Sequence, residues 1–210
     1  MKNNKRIKRS FFLVISIVLC FVVSGTSVFA GTLSDSQKDS YYEQYLQIAE
    51  EVNELQLGSK VYVVPKAEIS EEDWMTPEEF RVLAKNMSQT VCISNSIDNS
   101  SEISPMSTVS TSKTATVKNG SATATIKISG KFTTQYSSYH KRQLIEGVSS
   151  ISSAKSSGTG TWKHIGSEYR IGDAGRTCTI YVSGKYTVAT VSVDTVASAE
   201  FYCSATGEIR

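Results

Sequence analysis

Two segments of this chain carry side chains that could grip a ligand. One is Tyr136-Ser-Ser-Tyr139-His140-Lys141-Arg142, and the other is Trp162-Lys163-His164 with Tyr169 and Arg170 close behind. An aromatic face stacks on a sugar ring, and a guanidinium or ammonium donates to phosphate or carboxylate. The mixture therefore suits a glycan or an anionic envelope polymer. The competing reading is structural, with half-buried strand aromatics and the stems of Lys and Arg laid over them. Tyr136 and Tyr169 fall on the core-facing parity of their strands, which favours the structural reading for those two. The binding candidates are therefore Tyr139, His140, Lys141, Arg142, Trp162, Lys163, His164 and Arg170.

Catalytic chemistry finds less to work with. His140 and His164 are the two histidines of the chain, and no Cys or His stands at zinc-ligand spacing. No P-loop, dinucleotide fingerprint, HExxH or nucleophile-elbow motif occurs. A Ser-His-Asp set can be assembled on paper from any chain this rich in Ser, so that constellation carries no weight. Paired carboxylates for glycoside hydrolysis would have to come from Glu146, Glu168 and Asp173, and no spacing singles them out. No catalytic residue, metal or cofactor is expected. The basic residues are dispersed, which argues against nucleic acid as a partner.

The first thirty residues have a different job. Lys2, Lys5, Arg6, Lys8 and Arg9 precede an unbroken apolar run over 11–23, and Val28-Phe29-Ala30 presents compact residues where a signal peptidase cuts. Together these read as a secretory leader cleaved between Ala30 and Gly31. The alternative is an uncleaved anchor, because residues 11–30 could just cross a bilayer. Without the leader the net charge changes from +2 to −3. Residues 31–90 are acidic and 114–210 are net basic. Such asymmetry lets the halves attract each other, or lets the basic half face an anionic partner.

Cys92, Cys178 and Cys203 remain in the mature chain. An exported protein can hold one disulfide among three thiols. Cys178 and Cys203 share core-facing parities, so they form the first-choice pair. A strand turn at Asp194-Thr195 would put them about 25 Å apart along the sheet, and buried free thiols are the alternative.

These residues must be positioned by a β region. A stretch at 125–133, with Ile126, Ile128, Ser129-Gly130, Lys131 and Phe132, recurs fifty-four residues later with Ile180, Val182, Ser183-Gly184, Lys185 and Tyr186. Alternation through both copies predicts strands with one buried face. Parity favours one continuous strand, bent or bulged at each Gly, over a hairpin turn at Ser-Gly. Asn119-Gly120 marks a hairpin, and further strands are expected at 145–152, 161–171 and 196–204, with a turn at 173–176.

Ahead of this region, Tyr41, Tyr45, Ile48, Val52 and Leu55 recur at helical spacing, and Thr76-Pro77-Glu78-Glu79 is a capping box opening a second helix. A short strand over 60–64 ends at Pro65. The expected class is α+β: a leader at 1–30, a small acidic helical unit at 31–90, a Ser/Thr/Asn-rich linker at 91–113, and an all-β sandwich or barrel of about six strands at 114–210. The expected function is that of an exported, non-enzymatic binding or structural module, secreted or associated with the cell envelope. A secreted bacteriocin-like toxin and an unrecognised extracellular hydrolase are the alternatives.

Overall fold

Local signals open both helices. In the computed structural model, which describes residues 33–95, 108–120 and 122–210, Ser34 caps α1 (Asp35–Glu54) in a reciprocal box with Gln37. Thr76 caps α2 (Pro77–Ser88) in the same way with Glu79, and Pro77 stands in the first turn. Each box satisfies two backbone N–H groups that have no partner inside the helix. The expected leader and its cleavage point at Ala30 and Gly31 lie outside the described residues.

The stripe read from α1 is buried through Tyr45, Ile48, Ala49 and Val52, while Leu55 beyond the helix end is exposed. Tyr45 stacks on Phe80 of α2 at 4.3 Å between ring centroids and lies 6.0 Å from the Trp74 ring. Its hydroxyl meets the Met75 backbone, which is the bond a buried phenol needs. Burial pushes the Tyr45 hydroxyl pKa up.

Among the described residues eight strands form two four-stranded antiparallel sheets, β1-β8-β7-β6 and β2-β3-β4-β5. They are β1 (Val61–Val63), β2 (Val91–Asn95), β3 (Thr108–Asn119), β4 (Ala122–Ser137), β5 (Arg142–Gly158), β6 (Thr161–Gly172), β7 (Thr177–Val188) and β8 (Val191–Tyr202). The architecture is α+β, with the helices ahead of a β-rich region, as the sequence implies. Six strands belong to the continuous run β3–β8. Of the other two, β1 falls within the short strand expected over 60–64, whereas β2 was not expected. β1 joins the helical segment to β8, and β2 occupies part of the stretch read as linker.

Asn53 at the end of α1 fastens β1. Its side-chain amide donates to Val61 O at 2.9 Å and its oxygen accepts from Val61 N at 2.8 Å. The helices pack on each other and on β1 and β8, so Val61, Phe80 and Met87 lie in the same buried cluster as the strand residues.

The recurring motif continues as one strand through its Ser-Gly pairs. Ile126, Ile128, Gly130 and Phe132 all point inward on β4, and Ile180, Val182, Gly184 and Tyr186 do so on β7. The expected parity is right, but the expected bulge at each Gly is not. The extra residues sit on the neighbouring strands instead: Ser149 of β5 slips the β4 register beside Lys131, and Ile165 of β6 slips the β7 register beside Gly184. Each Gly makes room for a side chain. A Cβ at Gly130 would stand 2.7 Å from Ile180 Cδ1, and one at Gly184 would stand 2.2 Å from Trp162 Cζ2.

The cysteines correct a second expectation. Cys92, Cys178 and Cys203 are all free thiols, so the Cys178–Cys203 bridge is not formed. The β7–β8 turn lies at Ala189-Thr190, with Val188 paired to Val191 and Cys178 paired to Phe201. Cys203 therefore falls diagonal to Cys178, a placement with Cβ atoms roughly 7 Å apart, whereas a disulfide needs about 4 Å. Cys203 Sγ lies instead 3.6 Å from Gln143 O. Burial pushes the Cys178 thiol up to about 11 and raises Cys203 as well.

Candidate functional site

β5 separates the two segments singled out above. Arg142 opens this strand, and Ser153, which touches the Trp162 segment, lies eleven residues along it, about 36 Å away in an extended chain. Tyr139 and His140 on one side, and Trp162 and His164 on the other, do not converge on one patch.

At the near end, the β4–β5 turn projects Tyr139, which is 88% exposed, with the His140 ring edge-on at 4.8 Å. Lys141 takes a left-handed φ of 51° to close the turn. Arg142 is drawn inward. Its Nη2 donates to Cys203 O at 2.6 Å, and its guanidinium lies over the Tyr202 ring. That charge also tempers the rise in the Cys203 pKa. Arg176 from the turn after β6 pairs with Asp173 at 3.7 Å. A cleft of about 330 Å³ opens between these groups, lined by His140, Arg142, Leu144, Asp173, Ala174 and Arg176. Both arginines thus have partners, which limits their use toward an anion. Tyr136 and Tyr169 keep core-facing parity, yet they are 57% and 41% exposed.

At the far end, Trp162 and His164 point inward from β6 and form a bridge between the sheets. Trp162 Nε1 donates to Ser153 Oγ at 2.9 Å, and Ser153 Oγ lies 2.7 Å from His164 Nδ1. Ser153 Oγ thus accepts from the indole and shares a second hydrogen bond with the His164 ring. A Ser–His contact is one ingredient of a nucleophile, but an activated serine also needs its base oriented by a third group. No carboxylate bonds to His164 among the described residues, and the indole occupies the serine. This arrangement fastens β5 to β6.

Lys163 and Arg170 point to the opposite, outer face of that sheet. Lys163 sits directly across from Lys185, whose ammonium lies 5.2 Å from the Tyr62 ring centroid. Both lysines line a cleft of about 930 Å³ that also holds the carboxylates of Glu68 and Asp73, so its charge is mixed. Arg170 lies over Tyr181 and 3.8 Å from Glu168. No group of His, Cys, Asp and Glu suited to a metal occurs among the described residues.

The outer face of the β2-β3-β4-β5 sheet was missed by motif reading. Ser110, Ser112, Thr114, Thr116 and Lys118 of β3 alternate outward. They stand across from Lys131, Ser129, Lys127, Thr125 and Thr123 of β4. β5 adds Ser150 and Ser152 beside Lys131 and Ser129. A shallow groove of about 250 Å³ runs over Ser112, Lys127, Ser129, Lys131, Ser150 and Ser152.

Lys118, Lys127 and Lys131 are exposed, and no carboxylate stands opposite any of them in the ladders. The signal was present in the charge pattern, since no Asp or Glu occurs from residue 103 to 145 while six Lys and Arg do. Hydroxyls that donate and accept, with unneutralised ammonium groups among them, can bind a polyhydroxylated or anionic surface. No protein-family model, curated protein or solved structure matches this chain.

Proposed function

We propose that this protein is an exported, non-enzymatic module that binds an anionic polymer of the cell envelope, in the medium or at the cell surface. The face of Ser, Thr and Lys on β3, β4 and β5, whose lysines have no carboxylate across from them among the described residues, carries the reading. A solvated protein surface ordinarily intersperses both signs of charge, and the ladders place none of the opposite sign across from these lysines. The secretory pattern of residues 1–30 supports export. The mixed charge of the Lys163 cleft and the internal pairing of Arg142 and Arg176 make those places weaker seats for a polyanion.

Co-sedimentation with isolated anionic wall polymer, with an uncharged glycan as control, tests the proposal. Binding is expected to weaken as salt screens the ammonium groups, and to fall when Lys118, Lys127 and Lys131 are replaced together by Ser. Equal retention on the uncharged glycan, or retention indifferent to salt and to the triple substitution, would defeat it. Fractionation of the source cells with N-terminal sequencing tests export, for which Gly31 is the expected first residue.

A further inference from the structure

The three lysines of this face are not scattered. Lys127 and Lys131 lie on β4, four residues apart on the same side, and Lys118 of β3 is paired to Thr123, four residues before Lys127. At the usual rise per residue these levels repeat every ~13 Å along the strand. The outermost pair is separated by about 27 Å along β4, with Lys118 displaced by one strand spacing of roughly 4.8 Å.

Between successive cations lies a row of hydroxyls. Thr116, Thr125 and Ser157 form one row, and Ser112, Ser129 and Ser152 form the other. Lys131 is itself flanked by Ser110 and Ser150. Cation, hydroxyl row, cation, hydroxyl row, cation is a one-dimensional pattern set by the four-residue spacing of Lys on an alternating strand.

From this we infer that the face binds a linear, extended polyanion lying along β4, with one charge of the ligand at each lysine level and neutral polar backbone over the hydroxyl rows. The inference rests on the anionic-polymer reading above and narrows it. A compact anion can engage one level only. A branched or globular polyanion cannot follow a track this narrow. A chain whose charges recur every ~13 Å, or at an integer fraction of that distance, meets all three levels at once. Linking the contacts in one ligand converts the second and third into intramolecular events, so affinity rises with length until the track is covered.

The test uses the purified protein and inorganic phosphate chains as probe, from triphosphate to polyphosphate long enough to cross all three levels. Affinity is measured by calorimetry or fluorescence across a salt series. Expected is a rise in affinity with chain length that levels off once the track is spanned. Each of Lys118→Ser, Lys127→Ser and Lys131→Ser should lower the steepness of log K against log salt by about one third, because released counterions count the phosphates neutralised. Lys163→Ser, on the other sheet, should leave the steepness unchanged.

If triphosphate and long chains bind equally well per molecule, or if Lys163→Ser lowers the steepness and the three track variants do not, the inference is overturned while polyanion binding by the protein survives. No binding at any length in low salt overturns both. Circular dichroism of each variant confirms that these exposed substitutions leave the fold intact.

Discussion

Replacing Gly184 by Ala tests the role assigned to the glycine of the repeated motif. The new methyl carbon would lie 2.2, 2.5 and 2.6 Å from Cζ2, Cε2 and Cη2 of Trp162, where ordinary contact is 3.4–4 Å. The indole must therefore withdraw by about 1 Å. It cannot do so freely, because Nε1, bonded to Cε2, donates to Ser153 at 2.9 Å. Forced overpacking costs about 1–3 kcal/mol, and losing the bond costs about 0.5–1.5 kcal/mol more. Stiffening the unfolded chain returns about 0.4–1 kcal/mol.

The net expectation is about 2–3 kcal/mol of destabilisation, which for a chain of this size lowers Tm by roughly 5–10 °C. Urea unfolding followed by far-UV circular dichroism measures it. The decisive comparison is a double-mutant cycle with Trp162→Ala. In that background the methyl meets no ring, so Gly184→Ala should be neutral or slightly stabilising. An equal cost in both backgrounds, or no cost in the native one, would refute the ring-on-glycine argument.

Other consequences are simpler to read. In denaturant the thiol count should be the same with and without reductant, and in the native state alkylation at neutral pH should spare Cys178, whose pKa burial holds near 11. The Thr76–Glu79 box should show in acid. Backbone and hydroxyl donors from Thr76 lower the Glu79 pKa below the ordinary carboxylate range, so its contribution is full above that range and is lost as pH falls through the depressed folded value. The stability gap between the native protein and Glu79→Gln should accordingly close in acid titration, and Thr76→Ala should cost about 1 kcal/mol at neutral pH. Arg142→Ala, which frees the Cys203 carbonyl, should destabilise by about 1–3 kcal/mol, whereas Tyr139→Ala should change stability by less than about 0.5 kcal/mol in the same urea assay.

The features legible in the sequence are those whose causes are local. Capping boxes involve residues three apart, and both the Thr76 box and the α1 stripe could be placed without knowing anything else. The inward parity of Ile126, Ile128 and Phe132, and of Ile180, Val182 and Tyr186, follows from strand periodicity alone. What escaped depends on partners distant in the chain. The short strand at 60–64 could be read, but neither its pairing with β8 nor the Asn53 side chain that holds its end could. The reason for Gly184 is an indole from another strand.

The β7–β8 register was hidden because its turn is made by Ala189 at a left-handed φ of 47° and by Thr190, with no Gly, Asn or Asp to mark it. Misplacing that turn is what made the Cys178–Cys203 geometry unreadable. The candidate binding residues were chosen by type, and type does not reveal that Arg142 and Trp162 are already occupied by their own fold. The lysine track could have been found by asking where carboxylates are missing.

The pattern of strand pairing has a consequence for how the molecule assembles. From β3 to β8 each ladder joins neighbours in the chain, apart from the passage between sheets at β5–β6, so these strands meet through short loops. β1 alone must find a partner, β8, on the far side of the sequence. Closing so long a loop is entropically costly until β8 is already in place. The two three-stranded meanders, β3-β4-β5 and β6-β7-β8, are therefore expected to form before β1 and the helices dock. Substitutions at Val61 or Phe80 should speed unfolding with little effect on the folding rate, while those at Ile128 or Ile180 should slow folding itself.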